Sequence, residues 1–366
     1  MNSTVEPVDF FSPTYEVARK RFRDAATAVG AKIEKHWVDT GTDGADFTID
    51  VAILGNANPK WAVVISSGVH GIEGFFGSAV QLAWLLRRPS TDVWGGDGIA
   101  ILIHAVNPFG FANLRRTNES NIDLNRNFLD TAAAYEGAPN GYDKIEPFLN
   151  PASPPSQLEP FLFKALWHVR RYGLTFLKET IAGGQYQFPR GIFFGGYGPA
   201  TSTCIIRQHL PNWVSGVPRI VHLDFHSGLG THGRYRLLLL DSFRCKDIEW
   251  YKSTFGADLV ESMGQEDGTA YNASGTLGDW TTRHLGLTRC RFVTAECGTF
   301  PIIRVLRALR AENRAHFFCQ PDTSIYKRAK SDLLECFCPR SKYWRALVVE
   351  RGLQIIDRAV HAQRNG

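Results

Sequence analysis

The segment HGIEG at residues 70–74 sets His70 and Glu73 three positions apart. The apolar run 61–69 leads into it, as a strand does when it ends at a turn. Further along stand NPFG (107–110), RRTNESNIDLNRNF (115–128), DFHSG (224–228), YNASGTLGDW (271–280) and TAECG (294–298). Each places polar or ionisable groups at the end of an apolar run. His, Glu, Arg and Tyr in this combination suit metal-assisted hydrolysis of a substrate that carries a free carboxylate. A catalytic zinc takes three protein ligands and keeps one position open. His70 and Glu73 offer two. His226, at the end of the strand-like run before Ser227-Gly228, offers a third from elsewhere in the chain. Glu296 follows the apolar run 291–295 and is a candidate general base, since a carboxylate directly after a buried strand needs a partner or a task. Arg116 could polarise a carbonyl, and Arg126 could clamp a carboxylate with its forked guanidinium. On pattern alone, HxxE also fits a surface cap, Glu296 a salt bridge, and both arginines a solvated face.

These residues span 70 to 296, so one fold must bring most of the chain together. We therefore expect a single catalytic domain over 1–366, with a Pro-rich and helical excursion at about 130–200. The elements read as strand, helix, strand: a helix over 13–29, strands at 47–54, 61–67 and 99–106, and a helix over 74–88. After the excursion, strands are expected at 219–225, 235–240 and 291–295, with helices over 301–319 and 342–364. The run 137–160 reads as a loop and 157–181 as one helix. Short, continuous apolar strands alternating with helices define an α/β fold.

Composition narrows the function classes. Lys and Arg total 41 against 36 Asp and Glu, giving a mild +5 that is scattered along the chain, so no nucleic-acid partner is expected. No apolar run is long enough to span a bilayer, and no membrane partner is expected. The start MNSTVEPVDFF lacks a basic, apolar leader, and the seven cysteines are odd in number. Both fit a cytoplasmic protein with reduced thiols. Cys336 and Cys338 lack CxxC spacing, and GxSxG is missing at the strand ends, which argues against a cysteine metal site and a serine hydrolase. His232, six residues after His226, is a candidate for a second metal.

The ordered motifs HGIE, NPFG, the Arg seven residues before the Asp of DLNRNF, the strand-end HS, YNASGTLGDW and the strand-end Glu resemble the zinc metallocarboxypeptidase superfamily of the carboxypeptidase A type, in a divergent branch. The resemblance covers roughly 50–310. It implies a single-domain α/β/α sandwich around a mixed sheet of about eight strands. It implies one Zn2+ per chain on His70, Glu73 and His226, with Asp123 hydrogen-bonded to a ligand histidine. It further implies Glu296 as general base, Arg116 as the carbonyl-polarising group with Arg115 as its confusable neighbour, Asn125 and Arg126 as the carboxylate site, and Tyr271 as a closing residue. The implied reaction is cleavage of an amide bond next to a free carboxylate of a small peptide or N-acyl amino acid. Murein-peptide amidase, N-acyl amino acid deacylase and esterase activities belong to the same superfamily, and a non-enzymatic zinc module is a remote alternative. Two departures stand out. His226 lies 153 residues after Glu73, longer than is usual, so the excursion is expected to narrow the site. Gly278 occupies the specificity position and carries no charge. Arg190, Tyr186 and Tyr197 are then candidates for substrate choice.

Overall fold

A computed structural model describes residues 6–40, 46–87, 96–239, 247–262 and 273–365. Helix α1 (Tyr15–Ala28) starts where the Thr14 side chain accepts the Val17 N–H, and turns Ala18, Phe22, Ala25 and Ala26 inward. Gly30, at φ 77°, stops it. Strands β1 (Lys32–Thr40), β2 (Asp46–Gly55) and β3 (Trp61–Ser67) follow, then α2 (Gly74–Arg87) and β4 (Gly98–His104). Short helix α3 (Pro108–Ala112) begins NPFG, with Asn107 Oδ1 accepting from Gly110 N. The excursion holds α4 (Tyr142–Leu149), α5 (Phe161–Tyr172) and α6 (Leu174–Ala182), and α7 (Thr201–Trp213) leads back to the sheet. Strands β5 (Arg219–Ser227) and β6 (Tyr235–Leu239), helix α8 (Ile248–Phe255), strand β7 (Val260–Ser262), helix α9 (Leu277–Leu285) and strand β8 (Cys290–Cys297) come next. Helices α10 (Ile302–Phe318), α11 (Ser324–Phe337) and α12 (Lys342–Asn365) close the chain.

The eight strands form one mixed sheet in the order β1-β2-β4-β3-β5-β8-β6-β7. Its centre, β4-β3-β5-β8, is parallel. The inner strands β3 and β4 are buried along their whole length, as their uninterrupted apolar runs predict. Successive side chains of β5 enter different cores. Val221, Leu223 and Phe225 join Phe76, Val80, Trp344 and Ile355 on one face. Ile220 joins Ile206, Leu210, Leu277 and Trp280 on the other. Helices thus cover both faces of a mixed sheet, the α/β/α sandwich that was expected.

Three expectations need correction. The helix over 157–181 is two helices, because Gly173 takes φ 84° between α5 and α6. The run 137–160 contains α4 despite Pro147 in its second turn. The alternation FTIDVAIL at 47–54 reads as a half-buried strand, yet β2 is buried on both faces, since α1 packs on it and the Asp50 carboxylate it carries inward is held by Arg23.

Candidate metal centre

The parallel strands deliver the site at their C-terminal ends, the usual place for ligands in an open α/β sheet. Register pairs His226 on β5 with Glu296 on β8. Strand β3 ends just before His70, and Gly71–Glu73 makes a single tight turn into α2. That turn is clamped: Gly71 N and Ile72 N donate to the carbonyls of Arg116 and Arg115, at 3.1 and 2.7 Å. A Cβ on Gly71 would lie 2.1 Å from the Gly110 carbonyl carbon, so HGIE and NPFG can meet backbone to backbone only through glycine. This contact is what brings Arg116 to His70.

His70, Glu73 and His226 are buried, and their ligand atoms all lie within 4.8 Å of one another. His70 Nδ1 is 2.8 Å from Glu73 Oε1, and His226 Nδ1 is 3.2 Å from Glu73 Oε2. Each histidine thus turns Nδ1 toward the shared carboxylate and uses Nε2 elsewhere. His226 Nε2 is 2.6 Å from Asp224 Oδ2. His70 Nε2 is 3.3 Å from Asp123 Oδ1 and 2.6 Å from Arg116 Nη2. Carboxylates behind both imidazoles fix the rings, as is usual around bound metals. Two imidazoles and one carboxylate converging this way fit the donor set of a catalytic zinc.

Electrostatics separate the two glutamates. Burial alone would raise the Glu73 pKa, but His70 and His226 outweigh it and hold the group ionised. Burial raises Glu296, and the nearby Glu73 charge raises it further, to about 8. Its Oε1 accepts the Leu229 N–H at 2.9 Å. Asp123 resists burial because Arg116, His70 and Arg126 pull its pKa well down. Burial works against charge on His226, yet Asp224 and Glu73 raise its pKa well above the ordinary value.

The structure separates the two adjacent arginines. Arg116 donates from Nε to Asp123 at 2.9 Å and lines the cavity. Arg115 points away into a buried cluster, with Nε 2.9 Å from Glu312 Oε1. Asn125 and Arg126 also line the cavity. Asn125 Oδ1 accepts from Leu277 N, and Arg126 donates from Nε and Nη2 to the Ala182 carbonyl at the end of α6 and from Nη1 to its neighbour's carbonyl. Gly278 lies on the same wall. Tyr271 falls outside the described residues. Of the three candidates in the glycine-rich stretch, none lines the cavity. Tyr186 is buried and donates to the Arg126 carbonyl, while Tyr197 and Arg190 are exposed. His232 is not in the cluster and meets the Thr299 carbonyl through Nδ1.

Sequence reasoning overlooked Asp224. Its signal is D-x-H within a strand, because residues two apart share a face. Ser66 on β3 donates to Asp224 Oδ1 at 2.6 Å and lies 2.8 Å from His222 Nε2, so the supporting shell reaches across two strands. The cavity has a volume of about 470 Å3. Its far wall is apolar and comes largely from the excursion and α10, including Val169, Leu177, Ile181, Val305 and Leu309.

Residues 11–351 match the family described as "Protein of unknown function (DUF2817)", and the chain belongs to that family. No curated protein matches it. Among solved structures, it is similar to bovine thrombin-activatable fibrinolysis inhibitor in complex with tick carboxypeptidase inhibitor, at 14% identity over 97% of this chain and 98% of that one, with a TM-score of 0.53. A second structure of thrombin activatable fibrinolysis inhibitor aligns at 12% identity over 97% of this chain and 78% of that one, with a TM-score of 0.51. These likenesses establish the carboxypeptidase-like fold.

Proposed function

We propose that the chain is a zinc-dependent hydrolase that cleaves an amide bond beside a free carboxylate in a small substrate. The observation that carries this reading is the convergence of His70 Nδ1, Glu73 and His226 Nδ1 at the strand ends, with Glu296 and Arg116 around them. Zinc held there would supply Lewis acidity and bring the pKa of water down toward about 7. The chain's own residues supply the rest. Glu296, with Oε1 fixed by Leu229 N–H, would take up at Oε2 the proton that the attacking water gives up and pass it to the leaving amine. His70 bound through Nδ1 keeps its proton on Nε2 for Asp123, which frees Arg116 Nη2 to bind a carbonyl oxygen. Asn125 and Arg126 orient the substrate carboxylate, with Tyr271 closing over it.

A second reading of the same site has specific support. The apolar wall suits an acyl chain better than a polar peptide, which favours an N-acyl amino acid deacylase over a murein-peptide amidase. Metal analysis and hydrolysis of N-acyl amino acids, dipeptides and murein peptides, wild type against Glu296→Gln, test both readings. A stoichiometric zinc that is lost in His226→Gln, with turnover lost in Glu296→Gln, supports the hydrolase, and the best substrate selects the class. Near-normal rates in Glu296→Gln, or no stoichiometric metal, refute it.

A further inference from the structure

Strand β1 sits at the edge of the sheet with β2 as its neighbour, and α7 packs over it. Glu34 and His36 are two residues apart on β1, so they share the face that meets α7. His209 on α7 meets them there. Ligand atoms of Glu34, His36 and His209 lie within 4.8 Å of one another. The two imidazole rings are 4.1 Å apart between centroids. His36 Nε2 is shut off from solvent without a hydrogen bond, with Glu34 Oε2 3.5 Å away. A buried ring nitrogen left this way has given up its hydration without a replacement. Glu34 is itself oriented: Trp213 Nε1 donates to its Oε2 at 2.9 Å, and Lys32 pairs with its Oε1 at 2.8 Å.

We infer that Glu34, His36 and His209 form a second divalent-metal site that clasps the edge strand to α7. Two imidazole nitrogens and one carboxylate oxygen suit Zn2+, Co2+ or Ni2+ rather than Ca2+ or Mg2+. An ion there gives His36 Nε2 the partner it lacks. Four strand steps separate β1 from β5, about 19 Å at the usual strand spacing, so this ion is distinct from one held by His226. The inference does not rest on the hydrolase reading.

Equilibrium dialysis against Co2+ at pH 7.5 tests it, with unfolding curves run alongside to establish that each variant is folded. Wild type should bind two ions per chain, and His36→Gln and His209→Gln one each. Cobalt should also quench Trp213 emission, taken as the difference between wild type and Trp213→Phe, and this quenching should vanish in His209→Gln. If the hydrolase reading is wrong, wild type binds one ion, retained in His226→Gln and lost in His36→Gln, and the clasp stands. The inference is overturned if wild type, His36→Gln and His209→Gln bind the same number of ions, or if Trp213 quenching survives in His209→Gln.

Discussion

Replacing Glu296 with Gln should make the metal-free protein more stable at alkaline pH while abolishing turnover. The carboxyl has a reference pKa of 4.5 and is raised to about 8 in the fold by burial and by Glu73. Between those values the folded state binds a proton that the unfolded state has released. Stability therefore falls as pH rises across this window: the contribution is complete below pH 4.5 and lost as pH passes about 8. At about 1.4 kcal/mol per pH unit, the loss by pH 8 amounts to several kcal/mol, reduced by whatever relaxation brings water to the group. Gln is neutral throughout and lacks this slope. Urea unfolding of chelator-treated protein at pH 5, 6.5 and 8 should give wild-type and variant curves that are close at pH 5 and diverge steadily, the variant higher by a few kcal/mol at pH 8. Titrating groups that do not interact with Glu296 are common to both proteins and cancel in the difference. Saturating zinc should flatten the wild-type slope, because the cation offsets the Glu73 charge. Parallel wild-type and variant profiles from pH 5 to 8 would show that Glu296 is not held protonated, and the electrostatic account of the site would fail.

Further perturbations test separate parts of the centre. Asp224→Asn removes the carboxylate behind His226, and dialysis against zinc should show affinity lowered about 10–100-fold with the fold intact. Gly71→Ala puts a methyl group into the Gly110–Phe111 backbone and should cost about 1–3 kcal/mol or more in urea unfolding, together with metal affinity. In a His36→Gln background, zinc at a hundred times the dissociation constant of the His70, Glu73 and His226 site should add about 2.7 kcal/mol of stability, reversed by chelator and missing when His70→Ala is combined with it.

Legibility in the sequence followed the physics of each feature. The central strands were readable because burial on both faces leaves continuous apolar runs, and their ends located His70, His226 and Glu296. Strand β1 was not readable, because an edge strand with Lys32, Glu34, Lys35 and His36 carries no such run. The break at Gly173 was hidden, since apolar residues continue at helical spacing on both sides of it. Arg190 and Tyr197 looked like substrate-choosing groups by type, yet whether a loop side chain faces a cavity depends on contacts that lie far off in sequence.

The pair Arg115 and Arg116 shows that limit most sharply, and it yields a prediction. Neighbouring residues in a loop have no periodicity to say which points inward. Here the choice is made by the backbone: both carbonyls are committed to the HGIE turn, which leaves the two side chains to diverge. Arg115 goes to Glu312, which Lys330 also contacts at 2.6 Å, in a buried cluster on α10 and α11. Arg116 goes to Asp123 and the cavity. Arg115→Ala should therefore cost about 3 kcal/mol of stability, the lower end for a broken buried pair because Lys330 remains, with the chemical step spared in whatever protein stays folded. Arg116→Ala should lower kcat by about 100-fold or more, as loss of an oxyanion donor does, with a smaller change in unfolding midpoint. Urea unfolding and steady-state kinetics on both variants check the assignment, and a reversed pattern would mean that Arg115, not Arg116, serves the reaction.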